Sequence, residues 1–312
     1  MSIGKITGPG EAAEEAGKEG EKMDGTRRRG MGWIPDYPDF RDFTDKTEEV
    51  RSVLQPAGLL KARSFPGSVD LRSLCSPVEN QGDLGSCTAH AGVGAIEYYE
   101  RKSFGRHIDA SRLFLYKVTR NLMKMKGDTG GYLRTTMGAM VLFGVPAEAY
   151  WPYTDNKEKF DLEPPSFCYA FAQNYQAIKY FRHDPPETKR EDVLKKVKPY
   201  LSQGHPAMFG FTVYNSIEQA EETGRIPFPS SKERIEGGHA VVAVGYDDKM
   251  KIRNKFCKSD TTGAFLIRNS WGKEWGEEGY GWLPYAYVLK GLAEDFWSIL
   301  KKEWIDTEVF GE

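Results

Sequence analysis

The sequence is short of cysteine, of histidine and of long apolar runs, and each shortage removes a class of protein. Its four cysteines, Cys75, Cys87, Cys168 and Cys257, lie far apart. They are too few for a disulfide scaffold, and no C-x-x-C pair suggests structural zinc. Cys87 and His90 have a C-x-x-H spacing but no second ligand pair, so no metal and no other cofactor is expected. No apolar run approaches the roughly 20 residues of a membrane span. Residues 1 to 30 carry no apolar leader, which makes a cytoplasmic location the default expectation. Lysine and arginine number 43 against 45 aspartates and glutamates, a net charge of −2. That balance gives no footprint for nucleic acid or an anionic membrane, and neither partner is expected.

What is present suits a globular protein: 312 residues, 39% of them apolar, enough for two lobes or one large domain with extensions. Residues 1 to 30, rich in Gly, Glu and Lys, are expected to be disordered because they cannot bury enough apolar surface to offset chain entropy. From Met31 to Phe43 come Trp33, Tyr37, Phe40 and Phe43 with Pro35 and Pro38. Prolines extend the backbone before them, so this stretch predicts a ribbon whose rings something must cover. Thr47 to Ala62 predicts a short amphipathic turn of helix, broken by Pro56 and Gly58.

Residues 64 to 312 are read as the body. Its first half is helical: Cys87 to Lys102, Ser111 to Met125 and Leu133 to Phe143. Its second half has short apolar runs punctuated by Gly, Asn and Asp, which predict strands over Tyr175–Phe181, Ala207–Val213, His239–Tyr246, Ala264–Asn269 and Gly279–Leu283. A helix over Asp192–Leu201 separates the first two. Helices followed by strands is the α+β pattern, with a cleft between a helical lobe over residues 75–170 and a β lobe over 171–290. Residues 291–312 are read as a C-terminal extension.

Three stretches carry chemistry. In Gln81-Gly82-Asp83-Leu84-Gly85-Ser86-Cys87, a glycine-loosened turn leads to a helix start, with Ser86 as predicted N-cap. A cysteine in a first helical turn sits at the positive end of the macrodipole, which favours thiolate. A structural cysteine in a tight corner explains these residues equally well. A nucleophile needs a base, and the chain has five histidines. His239 follows Gly237-Gly238 and opens an apolar strand that would hold its ring rigidly. His90 shares the Cys87 helix and stacks along it, while His107, His183 and His205 read as surface. Finally, Phe265-Leu266-Ile267-Arg268-Asn269-Ser270-Trp271-Gly272 ends a strand in an Asn. Its carbonyl can orient an imidazole, and Trp271 can shield the bond.

Together, Gln81…Gly85-Ser86-Cys87, Gly238-His239-Ala240 and Asn269-Ser270-Trp271-Gly272 resemble the signatures of the papain-like cysteine peptidases in order and spacing. Pro66…Val69-Asp70-Leu71-Arg72, Gly130-Gly131-Tyr132 and Trp151-Pro152-Tyr153 extend the resemblance over residues 64 to 290. It implies a two-lobed α+β fold, helical on the left and an antiparallel β-barrel-like lobe on the right. It also implies a monomeric thiol endopeptidase acting on peptide or protein substrates. Cys87 would be nucleophile, His239 base, Asn269 its orienter and Gln81 an oxyanion donor. Gly130, Gly131, Tyr132, Gly238 and Trp271 would line the substrate groove. The pocket for the substrate's second residue would involve Tyr132, Ala240 and something in Leu292–Asp295.

Leu84 and Asp128 stand where the family has a disulfide pair, so that bridge is absent, and Thr88 and His90 replace aromatics. The segment over residues 31–63 resembles the short prosegments of bacterial and archaeal relatives, and is expected to restrain activity as an intramolecular strap. The alternatives are a catalytically silent peptide-binding module and a thiol acyltransferase or transglutaminase-type enzyme.

Overall fold

The computed structural model describes residues 29–55, 64–175 and 177–302. The disorder expected of residues 1–28 and the break expected at Pro56 and Gly58 lie outside the described residues.

The fold joins a helical layer to a mixed-length antiparallel sheet. Three helices build the first part: α2 (Cys87–Phe104), α3 (Arg112–Leu122) and α4 (Leu133–Leu142). Helix α2 is buried along almost its whole first three turns, from Cys87 to Tyr98. That explains its run of Ala and Gly: neighbours approach its backbone from several sides. At Gly94, an added Cβ would lie 2.5 Å from the Arg268 guanidinium. The helix stops at Gly105, whose φ of +72° suits glycine. Inside this layer Glu97 and Arg112 form a buried ion pair at 2.9 Å, further tied through Ser76, which donates to Glu97 at 2.5 Å.

The sheet runs in the order β2 (Ala177–Arg182), β7 (Ala293–Lys302), β3 (Ala207–Tyr214), β4 (Ile235–Asn254), β5 (Ser259–Arg268), β6 (Tyr280–Pro284), all antiparallel. A short β1 (Ser68–Asp70) adds to β4. The lobe expected to be barrel-like is an open sheet: β2 and β6 end it without pairing to each other. Its strands are apolar on both faces where they are central, as in the fully buried Ala207–Phe211 and Ala240–Tyr246. One face packs on α2; the other packs on α6 (Arg190–Ser202) and α7 (Tyr285–Leu289).

Strand β7 is the element that the sequence does not announce. Its polar-looking Ala293-Glu294-Asp295 start conceals Phe296, Trp297 and Ile299, all buried between β2 and β3. Strand β4 is longer than its apolar stretch, because its polar second half continues as a ribbon with β5. His183, read as surface, is buried instead. It follows β2, packs against Phe181 and Tyr200, and bonds Ser298 at 2.9 Å.

Residues 29–55 lie against this body. Helix α1 (Glu48–Leu54) buries Val50 and Leu54 against Phe181 and Tyr200. Upstream, the extended stretch crosses the junction between α2 and the sheet, and there the candidate residues gather.

Candidate active site

The first component is the α2 N-terminus. Cys87 is its first residue and is wholly buried. Ser86 does not cap the helix as expected; its hydroxyl turns away to Tyr153 Oη at 2.6 Å and His90 Nδ1 at 3.3 Å. Tyr153 donates to the Gln81 carbonyl at 2.8 Å, so the aromatic-Pro-Tyr segment braces the turn that carries Gln81. His90 is likewise a brace, buried edge-on against Tyr153.

The second component comes from the sheet. His239 lies on β4 opposite Phe211 of β3, and Asn269 follows the last residue of β5. Register brings them together: His239 Nε2 and Asn269 Oδ1 are 2.7 Å apart. Because Asn269 Oδ1 also accepts the Ser270 N–H at 2.8 Å, its carbonyl is fixed toward the imidazole, which then carries its proton on Nε2. Trp271 stacks on the imidazole at 4.5 Å, so the bond is covered. His239 Nδ1 is buried without a hydrogen-bond partner among the described residues.

Gln81 joins the two components. Ser270 donates to Gln81 Oε1 at 2.5 Å, and the Gln81 N–H donates to the Ser270 carbonyl at 2.9 Å. Fixing the amide oxygen in this way aims the amide NH₂ into the cleft. Ser270 is a positioning residue that the sequence reading passed over, although it lies inside the quoted Asn-Ser-Trp string.

The cleft is filled by the chain's own segment. Gln81 Nε2 donates to the Gly30 carbonyl at 3.0 Å and to Leu84 O at 2.7 Å. Gly131 N–H donates to Gly32 O at 2.7 Å, Ile34 N–H to Gly131 O at 3.1 Å, and Trp33 N–H to Gly238 O at 3.0 Å. The segment thus forms a parallel bridge at Trp33–Gly131. Glycine is demanded on both sides of this contact. A Cβ on Gly32 would lie 1.8 Å from Gly85 O, and one on Gly130 would lie 2.2 Å from Gly32 O. Tyr132 meets Tyr37 at 6.0 Å between ring centres. Arg29 lies over the Trp271 ring at 4.9 Å and pairs with Glu221. Gln81, Cys87, Gly130, Gly131, Tyr132, Gly238, His239 and Trp271 are thus gathered around residues 29–37, and Asn269 lies behind His239.

Burial sets the electrostatics of both groups. It pushes the Cys87 thiol up to about 11, against opposing N–H groups of Ala240, Gly32 and Thr88. Burial pulls His239 down to about 4, and only the Asn269 bond resists. Both shifts favour the neutral forms of the two groups. All four cysteines are free. At the place of the absent disulfide, Asp128 accepts the Gly85 N–H at 2.8 Å and the Tyr116 hydroxyl at 2.5 Å, and Leu84 is buried. Hydrogen bonds there tie the loop before Cys87 to α3. Among the described residues, no group of His, Cys, Asp or Glu is placed to hold a metal ion.

These features agree with the comparisons. Residues 65–292 match the family described as papain family cysteine protease. An uncharacterized peptidase C1-like protein of Acanthamoeba polyphaga mimivirus is 35% identical over 251 residues, 77% of this chain and 76% of that protein. Cathepsin K of Gallus gallus is 29% identical over 238 residues, 74% of this chain and 63% of that protein. Among solved structures, xylellain, a cysteine protease from Xylella fastidiosa, superposes with a TM-score of 0.69 at 36% identity, covering 88% of this chain and 96% of its own. On the match over most of its length and the fold it shares with xylellain, the chain belongs to the papain family of cysteine proteases.

Proposed function

We propose that this protease cleaves peptide bonds through Cys87, His239 and Asn269, and that its own segment Arg29–Asp42 holds it shut. In the open state, solvent and the α2 dipole would restore a thiolate–imidazolium pair. The thiolate attacks the scissile carbonyl carbon, forming a C–S bond. The resulting oxyanion takes hydrogen bonds from Gln81 Nε2 and the Cys87 N–H, where one such donor lowers the barrier by roughly 3 kcal/mol. His239 gives its proton to the nitrogen as the C–N bond breaks, and the amine leaves. Water then attacks the thioester while His239 takes its proton; the acid is released and the thiol is regenerated.

The single observation that carries this reading is the occupied groove. The Gln81 amide, the Gly131 peptide and the Gly238 carbonyl are the groups an extended substrate would use, and the segment already bonds to each. Its Gly32 N–H is among the backbone groups that bond to the Cys87 sulfur.

Full-length protein carrying Gly32→Ala tests both halves, since it displaces the segment at the groove and leaves α1 packed. Peptide turnover should rise well above wild type and vanish when Cys87→Ala is added. Turnover that persists with Cys87→Ala would overturn the catalytic assignment. A well-folded Gly32→Ala protein no faster than wild type would overturn the restraint. Complete absence of turnover in both would favour the silent peptide-binding module.

A further inference from the structure

We propose that His90, Ser86 and Tyr153 form a one-way hydrogen-bond relay that holds both oxyanion donors, the Gln81 amide and the Cys87 N–H, in place together. This rests on the peptidase reading and names three positioning residues for it. Their side chains act through Gln81 and through the Ser86–Cys87 peptide, and touch no reacting atom themselves.

The direction of the relay follows from which atoms can donate. The Gln81 carbonyl only accepts, so the Tyr153 hydroxyl spends its one proton there, at 2.8 Å. Tyr153 Oη and Ser86 Oγ lie 2.6 Å apart, and with the tyrosine proton already used the serine is the donor. Ser86 Oγ then has only lone pairs to offer His90 Nδ1 at 3.3 Å, and the Ser86 carbonyl, 3.1 Å from the same nitrogen, also only accepts. His90 therefore carries its proton on Nδ1 and shares it between the two oxygens of Ser86. Burial, with Arg112 adding to it, holds the ring well below its ordinary pKa, so one proton is all it has. Its Nε2 is buried without a hydrogen-bond partner among the described residues.

The two ends of the relay grip the two donors. A peptide unit is planar, so the Ser86 carbonyl and the Cys87 N–H point opposite ways from one rigid plate. Fixing that carbonyl with His90 fixes the N–H on the other side. At the far end Tyr153 holds the Gln81 carbonyl, while the Gln81 N–H and Oε1 are both held by Ser270. The next residue, Gly82, turns at a φ of +58°, where the freedom of glycine would let an unheld Gln81 carbonyl rotate. Donors in series also polarise one another.

The relay accounts for two departures from expectation. Ser86 gives its helix no side-chain cap because its hydroxyl is committed to Tyr153. His90 stands where the papain-like pattern has an aromatic; an apolar ring could pack there but could not donate. The imidazole does both, meeting Tyr153 edge-on at 5.0 Å. None of the three residues belongs to the N-terminal segment, so the relay remains when the groove opens.

The test uses the full-length chain with Gly32→Ala, alone and with Tyr153→Phe, which keeps the ring and deletes the hydroxyl. Two rates are read on each: turnover of one fluorogenic peptide, and alkylation of Cys87 by iodoacetamide, followed by mass spectrometry. Peptide cleavage builds an oxyanion, whereas alkylation displaces iodide at a saturated carbon and builds none. We expect Tyr153→Phe to lower kcat about tenfold, with KM and the alkylation rate each within about twofold. His90→Phe should lower kcat to a similar degree. His90→Asn, whose side-chain N–H can take the place of Nδ1–H, should restore most of it. If Tyr153→Phe fails to fold, the two His90 variants decide. An unchanged kcat, an equal fall in turnover and alkylation, or a His90→Asn protein as slow as His90→Phe would overturn the relay and leave the peptidase reading intact. No cleavage by any variant while Cys87 is still alkylated would overturn the peptidase reading, and this inference with it.

Discussion

The N-terminal segment has two halves held by different physics. Gly30–Ile34 is bound almost wholly by backbone: its N–H and carbonyl groups pair with Gly131, Gly238, Gly82 and Gln81. Its side-chain contribution comes from Trp33, which is buried, and Met31, which packs against the core. Asp36–Leu54 is bound by side chains. Asp42 receives both Nε and Nη2 of Arg134 at 2.6 Å and lies 3.5 Å from Arg182, and Val50 and Leu54 are buried in a small apolar cluster. One methyl group at Gly32 would clash with the Gly85 carbonyl in the first half, while Val50 and Leu54 anchor the second half in an apolar cluster. A groove-bound stretch and a stretch anchored by its side chains are thereby separated along the chain, and under the proposed restraint the first would act as the latch.

The largest expected effect breaks the latch alone. Gly32→Ala places a Cβ inside the Gly85 carbonyl, and turnover should rise by about a hundredfold or more if the clash costs roughly 3 kcal/mol. The melting temperature should change little. A large fall in melting temperature with no gain in turnover would show that the two halves are one unit.

Next comes the anchor. Leu54→Ala should lower unfolding stability by about 2–4 kcal/mol, as other buried leucines do, while turnover stays near wild type. Denaturant unfolding and a peptide assay on the same sample check both. A hundredfold gain in turnover would mean that the anchor holds the latch.

The third prediction uses pH. Asp36 is raised to about 7 by burial and by Asp295, with Arg134, Arg182 and Trp297 opposing. Its carboxyl is therefore protonated more readily when the latch is closed, and closure gains from it as pH falls from 7 toward 3.8. His239, lowered to about 4 by burial with Arg29 adding and Asn269 opposing, does the reverse. Closure expels its proton and weakens as pH falls from 6.5 toward 4. The two cancel in part, so wild-type closure should vary little with pH. In Asp36→Asn the His239 contribution is no longer offset by Asp36, and access to Cys87 should rise roughly fortyfold from pH 6.5 to 4.5. Labelling by a disulfide reagent that works in acid reads this directly. A flat profile in Asp36→Asn would remove His239 from the account.

Asp42→Asn should do least. It weakens a pair whose Arg134 partner can still reach water, so turnover should rise only a few-fold, about 1 kcal/mol. A gain equal to that of Gly32→Ala would show that the ion pairs carry the latch.

The candidate site residues were legible before any fold was known. Cys87 at a helix start, His239 before an apolar strand and Asn269 at a strand end are local patterns that depend on residues a few positions apart. The helices α2, α3, α4 and α6 were legible for the same reason, since a 3.6-residue period is written in neighbours. Strand β7 was not, because Asp295 and Glu294 look like surface until the N-terminal segment and Arg182 are laid against them. His183 was misread for the same reason: a Pro-rich neighbourhood suggests a surface turn, yet β7 and α6 close over it. Ser86 looked like a cap, but a hydroxyl chooses among partners, and Tyr153 from a distant segment was the better one.

By itself the sequence determined the order of the main helices and strands, the candidate site residues and the loss of the bridge at Leu84 and Asp128, all of which follow from residue type and near spacing. Only the tertiary structure decided that Gly30–Ile34 lies on the Gln81 amide and the Gly131 peptide, and that Trp33 meets Asp295 across 262 positions. Those contacts depend on where separate stretches of backbone come to rest, and one glycine hydrogen atom in place of a methyl group decides whether they can meet.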